Sequence, residues 1–397
     1  MPELGDYTQQ ALDHICYLSE QIGGRGSCTA DEGRAAEYAA EQMRAGGVDD
    51  VRIEPYLGAP STYRPFVLAF AVALLGTLLV WLIGGRPAMG AAAVLSALGA
   101  WGMLAETNLD GSWLRRLLPR AGSQNAIGLF YPSGEVRKAA VLCAHLDTHR
   151  TPVFYSSRTW YLLFGLLVGG AFASMALSAA AYLLGAMFDW GWMRWIGLAA
   201  AALQMFALVL CLHADLTPFS PGANDDASGV GTLLAVAQRL VNEPLDHTQV
   251  WLACTGCEEV GAYGMSAFLD AHAAEIGPDG VYIILDQVGL GRLRYLTADG
   301  LILKHKTHPR ALELARQVGT LLPELRLHGR VGIAYTDALV ATKRGLIALT
   351  LYALPPANAP DAMHWHRMSD TLAHVEPQAV ADAHTFAWQI LQEIDRS

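Results

Sequence analysis

The 397-residue sequence predicts an α/β protein, a mostly parallel central sheet flanked by helices, with four transmembrane helices inserted as two hairpins. Three observations predict it. Strand-like and helix-like stretches alternate along most of the chain. Four long stretches carry no charge at all. Aspartate, glutamate and histidine recur directly after predicted strands, where ligands bind in parallel α/β sheets.

Composition supports the inserted helices. Hydrophobic residues make up 53% of the chain and charged residues 16%, against roughly 45–50% and about 25% in soluble domains. The surplus lies in Phe66 to Ile83, Pro87 to Ala105, Trp160 to Phe188 and Trp195 to Leu212. A helix crossing the hydrocarbon core needs about 20 apolar residues, and these segments lack the polar stripe of a core helix. Trp81, Trp101, Trp160, Trp190, Trp192 and Trp195 stand at or near their ends, as in an interfacial belt.

Short turns, Gly84 to Pro87 and the stretch around Asp189 and Arg194, make two hairpins, so the rest of the chain lies on one side of the membrane. That side carries Arg64, Arg115, Arg116, Arg120, Arg150 and Arg158, whereas the turns carry only Arg86 and Arg194. The bias places the large polar part in the cytoplasm, under an inner or plasma membrane. The expected domains are residues 1–65, 106–159 and 213–397 as one discontinuous α/β domain, with 66–105 and 160–212 as the hairpins.

Met1 to Cys16 lacks a basic stretch followed by an apolar one, and reads as an amphipathic helix rather than a cleaved secretory signal. A net charge of −10 without a basic block excludes a nucleic-acid partner. The six cysteines form no disulfide framework in a chain this long. Cys254 and Cys257 have the CxxC spacing of a zinc or redox pair, but no second pair accompanies them, and they read as buried thiols.

Outside the hairpins, helices are expected over Asp31 to Ala45, Gly229 to Val241, Tyr263 to Ala274, Pro309 to Leu321 and Gln378 to Ile394. Strands are expected over Val51 to Tyr56, Ala126 to Tyr131, Ala139 to Ala144, Gln249 to Ala253, Val281 to Leu285 and Leu346 to Leu351. The candidate chemistry follows those strands. His145-Leu146-Asp147 follows Ala144: a neutral imidazole ligates zinc, and a carboxylate two residues on can hold its other nitrogen. Asp225 and Asp226 lie in a turn that opens a helix. Glu258-Glu259 follows the strand ending near Cys254, Asp286 follows Leu285, and His364, His366 and Asp370 stand near the end.

Each of these pieces is weak alone, but together and in this order they resemble the dinuclear zinc aminopeptidase and carboxypeptidase family, metallopeptidase family twenty-eight. The matching motifs are AHLDTH around His145, GANDDASG around Asp225, CEEVGAYG around Glu258, LDQVG around Asp286 and HRMSDT around His366. The resemblance implies a zinc-exopeptidase-like fold and two zinc ions. One ion would be held by His145 and Asp286, the other by Glu259 and His366, with Asp225 bridging. Glu258 would be the general base that carries a proton to the leaving amine. Asp147 would orient His145, and Asp370 His366.

The chain departs from the family at Thr336-Asp337-Ala338, where a Ser-Asp-His is usual, and in the hairpins themselves. His149 and His364 are expected to be bystanders, because the five-ligand set is already complete. A catalytically inactive membrane scaffold of the same fold is disfavoured, since all five ligands and the base are present. Relatives that cyclise N-terminal glutamine use one zinc, which the two-metal set disfavours.

The expected function is hydrolysis of an amide bond in a peptide or an acylated substrate, next to the lipid bilayer. The second hairpin is inserted between Asp147 and Asp225, and Arg150 to Arg158 and His213 to Gly222 are its only connectors. At ~3.3–3.6 Å per residue these reach no further than roughly 35 Å from the metal pair. Gly165 and Gly169, in GxxxG spacing, are expected to allow close helix contact. The alternative is an exopeptidase on soluble peptides that is merely anchored. Substrate identity and oligomeric state lie beyond the sequence.

Overall fold

Asp50–Gly58 (β1) and Ala121–Phe130 (β2) pair antiparallel, with Asp50 opposite Leu129 and Gly58 opposite Ala121. They begin a nine-stranded sheet, counted among the described residues, which are 5–355 and 363–397 of this computed structural model. Residues 1–4 of the expected N-terminal helix lie outside the described residues; Asp6–Cys16 is helical. The further strands are Lys138–His145 (β3), Thr248–Thr255 (β4), Val281–Leu285 (β5), Arg292–Asp299 (β6), His305–Lys306 (β7), Gly329–Val331 (β8) and Ile347–Leu354 (β9).

The order is β1-β2-β4-β3-β5-β9-β6-β7, with β8 beside β6. The centre, β4-β3-β5-β9, is parallel. The flanking pairs β1–β2, β2–β4, β6–β9 and β6–β7 are antiparallel. The sheet is therefore mixed and not mostly parallel as expected. On the β6 side the chain turns back through the short links after β5 and after β6, too short for the crossover that a parallel pair needs.

Central strands buried on both faces explain the unbroken apolar runs in the sequence. Leu142, Leu252, Ile283 and Leu349 point to one side, where they meet Val230, Leu233 and Val236 of the helix Ser228–Asn242. Val141, Trp251, Tyr282 and Ile284 point to the other, against Met265 and Phe268 of the helix Tyr263–Ile276. This two-residue alternation fixes the register, because a one-residue slip would exchange the faces. Full burial of each large side chain contributes roughly 1.5–3 kcal/mol.

The chain divides into two compact units, Met1–Pro60 with Arg120–Arg150 and Pro218–Ser397, and Ser61–Pro119 with Thr151–Thr217. The sheet belongs to the first. The second contains the helices Arg64–Leu82, Gly85–Thr107, Arg158–Phe188 and Met193–Asp215, all long and apolar enough to cross a membrane. Gly84 and Gly85, at φ of 71° and 74°, make the first hairpin turn in a conformation that side chains with a Cβ disfavour. Small residues let these helices approach: a Cβ on Gly76 would lie 3.0 Å from Ala92 Cα, and one on Gly99 2.8 Å from the Ala69 oxygen. The expected Gly165–Gly169 contact is absent. A Cβ on either would meet nothing within 4 Å, because that stretch of the third helix is largely exposed.

Candidate metal centre

Parallel strands deliver the acidic and imidazole side chains to one edge of the sheet. His145 is the last residue of β3, Glu258 and Glu259 follow β4 by a short turn, and Asp286 immediately follows β5. Asp225 lies in the irregular turn Ala223–Ala227 ahead of the helix Ser228–Asn242, and His366 in the loop between β9 and the last helix. Gly222, at φ 60°, starts that turn. A Cβ there would lie 2.3 Å from Thr148 Cγ2 and 2.4 Å from the Asp225 oxygen, so the close approach of the two loops requires glycine.

All five expected ligands are buried and come together. Nε2 of His145 lies 3.2 Å from Asp225 Oδ1, and Nε2 of His366 lies 3.3 Å from Asp225 Oδ2 and 3.4 Å from Glu259 Oε2. Each oxygen of Asp225 thus faces a different imidazole. Two groups of ligand-type atoms result, each within 4.8 Å: His145, Asp225 and Asp286, and His149, Glu259 and His366.

The supporting contacts differ in part from expectation. The carboxylate of Asp147 lies 3.6 Å from His145 Nδ1, but the nearer partner, at 3.0 Å, is the main-chain oxygen of Asp147. The carboxylate instead accepts from the backbone N–H of Glu258 (2.9 Å) and Glu259 (3.2 Å) and from Ser27 Oγ (2.6 Å). It holds the turn that carries Glu258 and Glu259. Asp370 likewise accepts from the N–H of Asn224 (2.8 Å) and Asp225 (3.1 Å), so its carboxylate fixes the loop that carries Asp225.

Two positioning residues were missed in the sequence. Asp226 accepts from the N–H of His145, Gly229 and Gln287 at 3.1, 3.0 and 3.0 Å, tying three loops together. Arg25 is buried and donates to the carbonyls of Leu18, Gly23, Leu146, Pro221 and Gly222. The repeated Asp in the motif was the available signal for Asp226; Arg25 had only its place in the Gly24-Arg25-Gly26 stretch. At the departure from the family pattern, Asp337 accepts from Thr255 Oγ1 at 2.6 Å and Thr336 Oγ1 donates to Asp299 at 2.6 Å. All six cysteines are free. Cys254 packs in the core, and Cys257 touches Cys28 with sulfurs 3.4 Å apart.

The electrostatics of the site call for cations. Burial, opposed by His145 and assisted by neighbouring carboxylates, pushes Asp286 up to about 8. Burial also raises Glu259 to about 7, against the pull of His366, and drives Glu258 well above the carboxylate range. For His366 burial works downward, but Glu259 and Asp225 outweigh it and raise it to about 9. Among the described residues, Glu258 Oε1, Glu259 Oε1 and Asp286 Oδ1 are buried without a hydrogen-bond partner. Unpartnered buried carboxylates are costly, and divalent cations with nitrogen and oxygen ligands compensate them. The donor set of imidazoles and carboxylates therefore fits two zinc ions.

Fold and site together define the zinc-metallopeptidase class. Residues 199–391 match the model of peptidase family M28. Over 78 residues the chain is 38% identical to aminopeptidase YwaD of Bacillus subtilis (strain 168); that match spans 19% of this chain and 17% of the enzyme. The fold is similar to that of BSAP, a zinc aminopeptidase from Bacillus subtilis, with a TM-score of 0.60 at 16% identity over 98% of this chain and 96% of that one. It is also similar to Bacteroides thetaiotaomicron glutaminyl cyclase, with a TM-score of 0.55 at 14% identity over 98% of each chain. Residues 199–391, just under half of the chain, thus carry the likeness to peptidase family M28, and the fold of the whole chain is similar to that of zinc aminopeptidases.

Proposed function

We propose that this chain is a membrane-embedded dinuclear zinc hydrolase that cleaves an amide bond. His145 and Asp286 hold one ion, Glu259 and His366 the other, and Asp225 bridges them. The observation that carries this reading is the placement of the two Asp225 oxygens, 3.2 and 3.3 Å from imidazoles of the two different groups. Zinc bound there supplies a Lewis acid for the amide carbonyl and lowers the pKa of water. Glu258, buried and anchored through its N–H to Asp147, takes the proton of the attacking water and gives it to the leaving amine. A burial-raised carboxyl suits that exchange.

The proposed substrate is an acylated or otherwise hydrophobic amide. Support comes from where the second apolar segment leaves the hydrolase unit. Arg150 and Phe219, at the two ends of that insertion, pair in a β-bridge, and the adjacent His149 stacks on His366. The points where the chain leaves and re-enters the hydrolase unit, Arg150 and Phe219, are therefore paired beside a residue that touches His366. The four apolar helices span the membrane, with the hydrolase unit on the cytoplasmic side as the arginine distribution favours.

The test is turnover of a short soluble peptide against its N-acylated analogue by the full chain, in detergent and in liposomes, before and after chelation. The reading expects metal-dependent cleavage that favours the acylated amide. Equal or better cleavage of the soluble peptide would overturn the substrate proposal. Activity that survives complete metal removal would overturn the zinc mechanism.

A further inference from the structure

We infer that Arg292, Arg294 and Arg330 form a binding site for the phosphate of an anionic phospholipid headgroup, an inference that rests on the membrane reading above. Strand pairing brings the three together. β6 runs antiparallel to β9 with Arg294 opposite Tyr352, and parallel to β8 with Leu296 opposite Arg330. Side chains alternate with a period of two, so Arg292, Arg294, Arg330 and Tyr352 share one face of the sheet. Arg292 stands opposite Leu354, the last residue of β9. β9 runs parallel to β5, after which Asp286 follows, so the arginines lie toward the end of the sheet that carries the metal site.

No carboxylate neutralises them. Among the described residues none pairs with Arg292, Arg294 or Arg330, in a chain whose net charge is −10. The Arg294 guanidinium donates to main-chain oxygens instead, of Leu293 at 2.8 Å and of Arg326 at 3.4 Å. By contrast Arg310, Arg316 and Arg344, in the stretch between β6 and β9, lie 2.8, 2.9 and 2.7 Å from carboxylates. The three unpaired guanidiniums act on one another: burial lowers the pKa of Arg294, and Arg330 and Arg292 lower it further. Arg292 and Arg330 are exposed, so an incoming anion reaches them without disturbing the core. Like charges gathered in this way repel, and a bound anion turns the repulsion into attraction. Guanidinium forks match phosphate oxygens bidentately.

The neighbouring side chains point to a lipid as the carrier of that phosphate. Val331 and Ile333 follow Arg330 along the chain, and each is 54% exposed. Gly332, between them, donates through its N–H to the Ala298 oxygen at 2.9 Å and accepts from the Lys304 ammonium at 2.9 Å. Leu301, Ile302 and Leu303, in the turn that Lys304 closes, are exposed as well. Aliphatic side chains beside cations make an interfacial surface, with apolar groups among the acyl chains and charges at headgroup level. A free phosphate would leave all five aliphatic side chains in water.

The experiment titrates full-length protein in neutral detergent with dioctanoyl-phosphatidylglycerol, dioctanoyl-phosphatidylcholine or inorganic phosphate. Occupancy is read as hydrogen-exchange protection of residues 292–296 and 329–333. Phosphatidylglycerol should protect both stretches, and phosphatidylcholine should not. Each single Arg→Ala change should weaken phosphatidylglycerol roughly 5-fold, and the triple variant Arg292→Ala, Arg294→Ala, Arg330→Ala roughly 10²-fold. The triple variant should not melt below the natural protein, because a repulsion has been removed; that comparison checks the fold. Val331→Ser with Ile333→Ser should weaken the lipid and leave phosphate binding unchanged. Equal protection by the two lipids, or undiminished phosphatidylglycerol affinity in the triple variant, would overturn the inference. Phosphate binding as well as phosphatidylglycerol, with no effect of the serine changes, would make this a free-anion site and overturn the lipid assignment. Extraction of membranes with alkaline carbonate tests the membrane reading separately: release of the chain would overturn the spanning helices, whatever the titration shows.

Discussion

The two units handle buried polar atoms in opposite ways. In the helical unit they are widely spaced and several pair side chain to side chain: Tyr182 donates to Thr77 at 2.9 Å, Gln204 to Ser178 at 3.1 Å, and Arg115 pairs with Glu106. In the hydrolase unit carboxylates are gathered at the ends of three adjacent strands, and several of their oxygens have no hydrogen-bond partner among the described residues. Such pairs satisfy these groups within the unit, although Ser96 Oγ and Gln204 Oε1 have no hydrogen-bond partner among the described residues. Crowding unpartnered carboxylates makes a site that is stable only with cations, so the difference marks where the chemistry lies.

That comparison can be sharpened by mutation. The largest effect is expected at Glu258: Glu258→Gln should lower kcat by ~10²–10⁴-fold while both ions stay bound. Glu259→Gln, one residue on, should instead release an ion, measured as zinc per chain after dialysis. Near-normal turnover of a metal-replete Glu258→Gln protein would remove the proton carrier from the mechanism. Next in size, Trp251→Ala should destabilise the hydrolase unit by roughly 3–5 kcal/mol, since Trp251 is wholly buried between β4 and Phe268. Denaturation followed in the presence of excess zinc checks this. The smallest effect belongs to the helical unit. Tyr182→Phe removes one interhelical hydrogen bond, worth about 0.6 kcal/mol and at most about 1.7. It should lower thermal stability slightly and leave zinc content untouched; loss of zinc would break the contrast between the units.

Much of this was legible in the sequence because one physical rule links the residues. A polar side chain at the end of a parallel strand follows an apolar run, so position singled out His145, Glu259 and Asp286 as candidates, and the family resemblance added Asp225 and His366 to the expected ligand set. The four long apolar helices were legible from length and lack of charge, and their observed bounds fall within a few residues of those expected. What was hidden depends on contacts between distant segments. The stack of His149 on His366, 217 positions away, is one such contact. Asp147 and Asp370 were given imidazoles as partners, whereas backbone N–H groups of other loops claim their carboxylates. β7 and β8, two and three residues long, leave no periodic pattern to read. Gly165 and Gly169 matched a motif, but which face of a helix is covered is a tertiary property.

The central claim is that one carboxylate, Asp225, joins two ions in a single site. X-ray absorption at the zinc edge of the full-length protein, loaded with two equivalents, tests it most directly. The account predicts nitrogen and oxygen neighbours near 2.0–2.2 Å and a metal–metal vector at roughly 3.5–4 Å that disappears in Asp225→Asn. Two equivalents bound with no metal–metal vector in the natural protein would contradict it.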